Sequence, residues 1–410
     1  MEESRQFNDN HTESLLNSIL RRLDAEEILQ LRNRFENKLN ELGITSFQAE
    51  KQLGTDYKTL NRLLDGDVKK FDLITLIKIG YLLNIPEKDV SESFISLMLE
   101  QHAEEISNVK KMMFIHNNFD LDTLKKLRII KKTNDYSHIE NQLVSILGLH
   151  SILDYNPEDI GAAHSESSIK PKHQKNRIYF KSKSKSIFKL IDNPNPFDRQ
   201  GVIDYFPKIR WHSTDVDGGM ITVIKSLFKL GVTVIFQPKI PSLQMRGATF
   251  EVNGKPCIVL TDYMNSYPTM WFALVHELFH VLFDWEEILS KKYHLSDEET
   301  DIDVLKHKED EANDFAREYF LPSKILNSIS ERIRQTFFIK EFASDNHVHP
   351  SIVYANFAFR NSDEENNYWA IYNNQIHPNM EKLIETMSVG LSYESSAREY
   401  SSNYLNKIYN

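Results

Sequence analysis

Cysteine occurs once in the 410 residues, at Cys257, so no intramolecular disulfide can form and thiolate zinc clusters are excluded. Glycine and proline are also sparse, at thirteen each, which rules out a collagenous or proline-rich low-complexity chain. No apolar run approaches the roughly 18 to 20 residues that a membrane span needs, so no membrane partner is expected. The opening segment Met1 to Asn10 is polar and has no apolar stretch of the secretory type. Together these absences predict a cytoplasmic protein. Basic charge is not in excess either. With 59 acidic and 49 basic residues the formal net charge is −10, which excludes a chain coated for nucleic acid but leaves room for a small DNA-reading module.

What is present is ordinary for a soluble globular chain: 40% hydrophobic and 26% charged residues. The length exceeds what one core usually organises, so two or three domains are expected. Charge is unevenly placed. Lys170 to Lys189 carries eight basic residues and no acid, whereas acids dominate from Asp284 to Asp314.

Apolar spacing predicts a multi-domain α plus α+β architecture. Residues 1–99 read as helical, starting with Leu15, Leu16, Ile19, Leu20 and Leu23, and 100–155 as a second helical set. Residues 156–196 read as a linker, with Pro157, Pro171, Pro194 and Pro196 and a Ser/Lys alternation, although Arg177 to Lys181 also suits a strand. From 197 to 360 the texture becomes mixed. A helix near Gly218 to Leu230 leads into a β-branched strand after Gly231. Asn253-Gly254 then joins two further strands as a hairpin. The tail, 361–410, is rich in Ser, Asn and Tyr, with one helix expected around Met380 to Met387.

The chemistry concentrates in His276-Glu277-Leu278-Phe279-His280, set in an apolar helix that starts near Trp271. Residues four apart share a helix face, so both imidazoles can reach one metal ion. Glu277, beside the first, is placed to act as a base towards water, the zincin arrangement around Zn2+. A third ligand is required. The later helix offers Glu309 and Glu311, and Ala312, Phe315, Ala316 and Phe320 give it a buried stripe. Glu309 shares that side, while Glu311 is turned away by about 200° at 100° per residue, so Glu309 is the expected ligand. His294 and His307 are the runners-up. A partner for the developing oxyanion would be Tyr263, Tyr319, His347 or His349.

These residues, with Glu309-Asp-Glu-Ala-Asn-Asp-Phe-Ala316 and Leu321-Pro322, resemble the ImmA/IrrE family of metallopeptidases over about Met220 to Arg360. Leu230-Gly-Val-Thr-Val-Ile-Phe, Arg246-Gly-Ala and Val348-His-Pro-Ser-Ile-Val strengthen the resemblance. It implies a gluzincin-like, zincin-type domain with a small sheet, zinc held by His276, His280 and Glu309, and Glu277 as base. It also implies a protein substrate, typically a transcriptional repressor in stress, mobile-element or toxin–antitoxin settings. One position departs: Phe279 stands where the common motif has Gly, and so bulky a ring is expected to alter the cleft or shield the metal.

Ser46 to Gly54, Thr55 to Gly66 and Asp72 to Ile85 resemble the phage-repressor (XRE-type) helix-turn-helix, within about residues 30–90. Ala49 and Leu53 seat the first helix, and Leu60 and Leu63 anchor the second. Tyr57, Lys58, Asn61 and Arg62 are then expected to face a DNA major groove. The alternative to an enzyme is a DNA-binding regulator whose peptidase-like domain senses or binds a partner without cutting it.

Overall fold

The computed structural model describes residues 31–65, 72–156, 172–241, 243–291, 293–295, 303–362, 367–375, 377–389 and 392–410. The helix expected at Leu15 to Leu23, Gly66 and residues 157–171 of the 156–196 segment lie outside them. The chain divides into two compact units between Lys110 and Lys111. Among the described residues no helix is long and apolar enough to cross a membrane.

In the first unit, Leu31–Leu42, Ser46–Leu53, Tyr57–Leu64 and Leu73–Leu83 are helices. Local chemistry sets their ends. Thr45 and Gln48 form a capping box, Gly54 closes its helix in the left-handed region at φ 73°, and the Asp56 side chain accepts from Thr59 N at 3.0 Å. Phe35, Ala49, Leu53, Leu60, Leu63 and Ile79 form its core.

The second unit is built on a four-stranded sheet of order β1-β3-β2-β4: β1 Thr233–Phe236, β2 Gly247–Val252, β3 Lys255–Leu260 and β4 Tyr293–Leu295. Asn253 and Gly254, both at positive φ (54° and 74°), make the tight β2–β3 turn. β1 runs parallel to β3, and β4 pairs antiparallel with β2. Successive residues of β2 serve opposite faces. Phe250 packs against Phe188 with ring centres 6.1 Å apart, whereas Thr249 bonds to Glu277 of the helix Tyr267–Phe283.

Phe188 belongs to the helix Lys172–Ile191, and this corrects the linker and strand expected there. The Ser/Lys alternation conceals an apolar face, since Ile178, Phe180, Ile187, Phe188 and Ile191 are all buried. Even Lys175 and Lys183 are buried, with their ammonium groups donating to the carbonyls of His116 and Tyr393 at 3.0 and 3.4 Å. Burial pushes the Lys183 amine down to about 8. The Ser182 and Ser184 hydroxyls turn back onto the carbonyls of Ile178 and Phe180, which lets serine sit inside a helix.

The tail contributes the expected helix, Glu381–Ser388, and more besides. Its tyrosines cap the outer edge of β1. The Tyr404 hydroxyl accepts from Phe236 N at 2.6 Å and donates to Met387 O at 2.6 Å. The Tyr400 hydroxyl donates to Phe236 O, and Tyr409 accepts from Val234 N and donates to Val234 O. Backbone groups at every second residue of an edge strand are left over by the ladder, and buried ones must find partners. Tyr404→Phe keeps the ring but strands a buried amide and a buried carbonyl. It should cost about 2 kcal/mol in chemical denaturation, whereas Tyr263→Phe, at a surface turn, should cost little.

Candidate metal centre and cleft

The helix Tyr267–Phe283 starts where Ser266 accepts from Thr269 N, with Pro268 in its first turn. It lies on the sheet and is buried almost throughout. His276, Glu277 and His280 are 6%, 0% and 0% exposed, so three ionisable groups occupy one buried turn. The helix Asp303–Phe320 packs beside it, and fully buried Ala312 and Ala316 allow the close approach.

That approach brings Glu309 to the histidines. Its Oε2 is 3.2 Å from His276 Nε2, its Oε1 is 3.6 Å from His280 Nε2, and the two Nε2 atoms are 3.1 Å apart. One ligand atom from each residue lies within 4.8 Å of the other two, a group able to hold a metal ion. Glu311, by contrast, is exposed. The side chains of His294 and His307 lie outside the described residues.

The donor set suits a divalent cation. His280 Nδ1 is 2.8 Å from Asp284 Oδ2, so it donates there and leaves Nε2 as a lone pair facing the cluster. Asp284 is itself held by Lys308 at 2.9 Å. Burial works against the Asp284 charge, but the hydrogen bonds from His280 and Lys308 outweigh it and bring the carboxyl down to about 2. Asp284 was not singled out from the sequence, yet it sits four residues after His280 and so on the same helix face. That spacing is the signal that finds it.

Glu277 is positioned by the sheet. Its Oε2 accepts from the Thr249 hydroxyl at 2.6 Å. A Cβ on Gly247 would fall 2.7 Å from its Oε1 and 2.8 Å from its Cγ, so only glycine leaves room for the carboxylate there. The His276, Glu277 and Glu309 side chains open onto a cavity of about 880 Å³, whose wall also includes Arg246, Arg317, Trp369 and Tyr372. Phe279 does not line it. Its ring packs against Phe283 and Phe315, at 4.7 and 5.3 Å, and edge-on to His280 at 5.6 Å. The expected intrusion of this ring into the cleft is therefore corrected: two positions beyond Glu277, it points around the helix to the aromatic side.

The residues expected to face an oxyanion are elsewhere. Tyr319 donates to Phe206 O and accepts from Arg210 N, His347 packs on Trp211, and Tyr263 and His349 are not among the cavity's lining. The tail supplies lining instead, through Tyr372, whose hydroxyl is 3.2 Å from Ser266 Oγ, and His377, whose ring is tilted against it with centres 4.5 Å apart. In the first unit Tyr57, Lys58 and Arg62 are exposed. Asn61 is half-buried, accepting from Arg32 at 2.8 Å and donating to Tyr57 O at 2.8 Å, so it faces inward and not outward as expected.

His349 gives a pH test. Its Nδ1 accepts from Ser351 N at 3.1 Å, capping the helix Pro350–Asn361, and burial lowers its pKa to about 4. The unfolded chain therefore binds a proton between about pH 6.5 and 4 that the folded chain refuses, and stability falls as pH drops through that window. With solvent screening at the partly exposed ring, the loss should be on the order of 2 kcal/mol. His349→Asn retains a capping acceptor without titrating, and its unfolding free energy should be flatter over the same range.

Residues 229–353 match the IrrE N-terminal-like domain, a peptidase family. Neither a curated protein nor a solved structure matches the chain. His276, Glu277, His280, Asp284, Lys308, Glu309, Gly247 and Thr249 fall within the matched span, which is similar to a metallopeptidase domain.

Proposed function

We propose that the second unit is a zinc-dependent endopeptidase acting on a protein substrate, a transcriptional repressor or regulator. The observation that carries this reading is the convergence of His276, His280 and Glu309 beside a separately anchored Glu277 at the wall of a large cleft. His276, His280 and Glu309 would hold the ion, with Asp284 orienting His280. Zinc in such a site supplies Lewis-acid polarisation of a carbonyl. Glu277 removes a proton from water as its oxygen adds to the scissile carbonyl carbon. Glu277 then returns that proton to the amine nitrogen as the C–N bond breaks. Thr249 and Gly247 keep the carboxylate aimed during both transfers.

The roles separate by mutation. His276→Ala and His280→Ala should lose zinc by elemental analysis, and Glu309→Gln should lose or loosen it, while Glu311→Gln should leave it in place. Glu277→Gln keeps shape but cannot accept the proton. Its zinc should persist while cleavage falls by about two or more orders of magnitude. Operator binding unaffected by Glu277→Gln, with no cleavage of any partner, would favour the non-proteolytic regulator.

A second reading concerns the first unit, where the exposed Tyr57, Lys58 and Arg62 on a short helix after a three-residue turn support contact with DNA. Binding to promoter DNA should weaken steeply with salt through phosphate contacts, and Arg62→Ala should lower affinity and the salt slope together. Salt-insensitive or absent binding would remove this role.

A further inference from the structure

Two arginines in the cleft lining, Arg246 and Arg317, have no part in the proposed chemistry. Glu277 and Glu309 belong to the catalytic centre, which leaves exposed Asp310 as the remaining carboxylate of the described lining. Against it stand Arg246 and Arg317, with His377 beyond them. Arg246 immediately precedes Gly247, the residue in contact range of Glu277, so it enters the cleft next to the reaction centre. Arg317 approaches from the helix that bears Glu309. On that helix Glu309, Asp310, Asn313, Ala316 and Arg317 all line the cavity, at positions i, i+1, i+4, i+7 and i+8, one continuous face.

Arg317 is also built into place. Its guanidinium lies over the Phe359 ring, 3.6 Å from the centroid, and one nitrogen is 2.8 Å from Asp314. Burial, and more weakly the neighbouring Arg360 and Arg246 charges, disfavour its cation against the pull of Asp314. Both guanidiniums belong to the wall of one cavity, where an incoming carboxylate can accept from them.

We propose that Arg246 and Arg317 receive a carboxylate of the peptide substrate, so that the enzyme selects acidic sequences close to the bond it cuts. This rests on the peptidase reading above. Eight residues of helix separate Glu309 from Arg317, about 12 Å at 1.5 Å per residue. An extended peptide covers that in roughly three to four residues at about 3.3 Å each. The acidic residue should therefore lie within about four positions of the cut. Apolar Phe272, Met264, Trp369 and Met380 in the same wall suit flanking aromatic or aliphatic side chains.

The test uses the full-length zinc-loaded protein and a proteome-derived peptide library read by mass spectrometry. Cut sites should be enriched in Asp or Glu within that window. C-terminally amidated peptides with one internal Glu should be cut at least about tenfold faster than their Gln counterparts. That ratio should collapse towards one in Arg317→Gln and in Arg246→Gln, and be kept in part by Arg317→Lys. A preference seen with free C-termini but not with amidated peptides assigns the chain-terminal carboxylate as the ligand. Cutting without any carboxylate preference, or a preference unchanged in both Gln variants, overturns the inference and leaves the peptidase reading standing. If nothing is cut, that reading fails, and binding of the same peptides to Glu277→Gln protein, followed by tryptophan fluorescence, decides the inference separately. Equal affinity for the Glu and Gln peptides sinks it, and tighter Glu binding that Arg317→Gln abolishes sustains it.

Discussion

Burying two imidazoles and a carboxylate in one turn of an apolar helix is the constraint that the rest of the second unit answers. Each group is costly to desolvate alone, and each has a partner from a different element. Thr249 of β2 gives Glu277 a hydroxyl, Asp284 of the following turn accepts a hydrogen bond from His280, and Glu309 comes from a neighbouring helix. The small residues belong to the same solution. Gly247 leaves room for Glu277, and Ala312 and Ala316 let the Glu309 helix close in. A larger side chain at any of the three would separate groups whose value lies in converging.

Helix phase was the part of this site legible in sequence, because it is local. The i, i+4 histidines and the rotation that distinguishes Glu309 from Glu311 follow from 100° per residue, and the structure places Glu309 inward and Glu311 outward. The hairpin at Asn253-Gly254 was legible for a similar reason: positive φ at both positions is written in the residue types. Burial against distant partners was not legible. Lys175 and Lys183 read as solvated charges, and only carbonyls 59 and 210 residues away explain why they lie inside. Asn61 failed likewise. Its place on the helix is correct, but Arg32, 29 residues earlier, draws its amide inward.

Phe279 illustrates how a motif departure is absorbed. A side chain three residues after His276 lies only about 60° from it around the helix, so it leaves the metal side only because neighbours offer an apolar site. Phe283 and Phe315 offer one, and the ring adds an edge contact to His280 that helps fix the imidazole plane. The substitution enlarges the packing behind the ligand and leaves the cleft open in front of it.

The tail joins edge protection to the lining of the cleft. Tyr400, Tyr404 and Tyr409 satisfy the backbone of β1, which would otherwise present buried, unpaired donors and acceptors. The same tail carries Trp369, Tyr372, His377 and Met380 into the cleft, with Tyr372 tied to Ser266 at the start of the histidine-bearing helix. All of these residues follow the matched span, which ends at residue 353. The cluster of His276, Glu277, His280 and Glu309 therefore sits within the matched span, while one wall of the cleft belongs to sequence after it. Residues that only line a cleft are less constrained than residues that must converge with one another, so this wall can differ without disturbing the His276–His280–Glu309 cluster. Arg317 stands at the junction, within the matched helix but stacked on Phe359 beyond it.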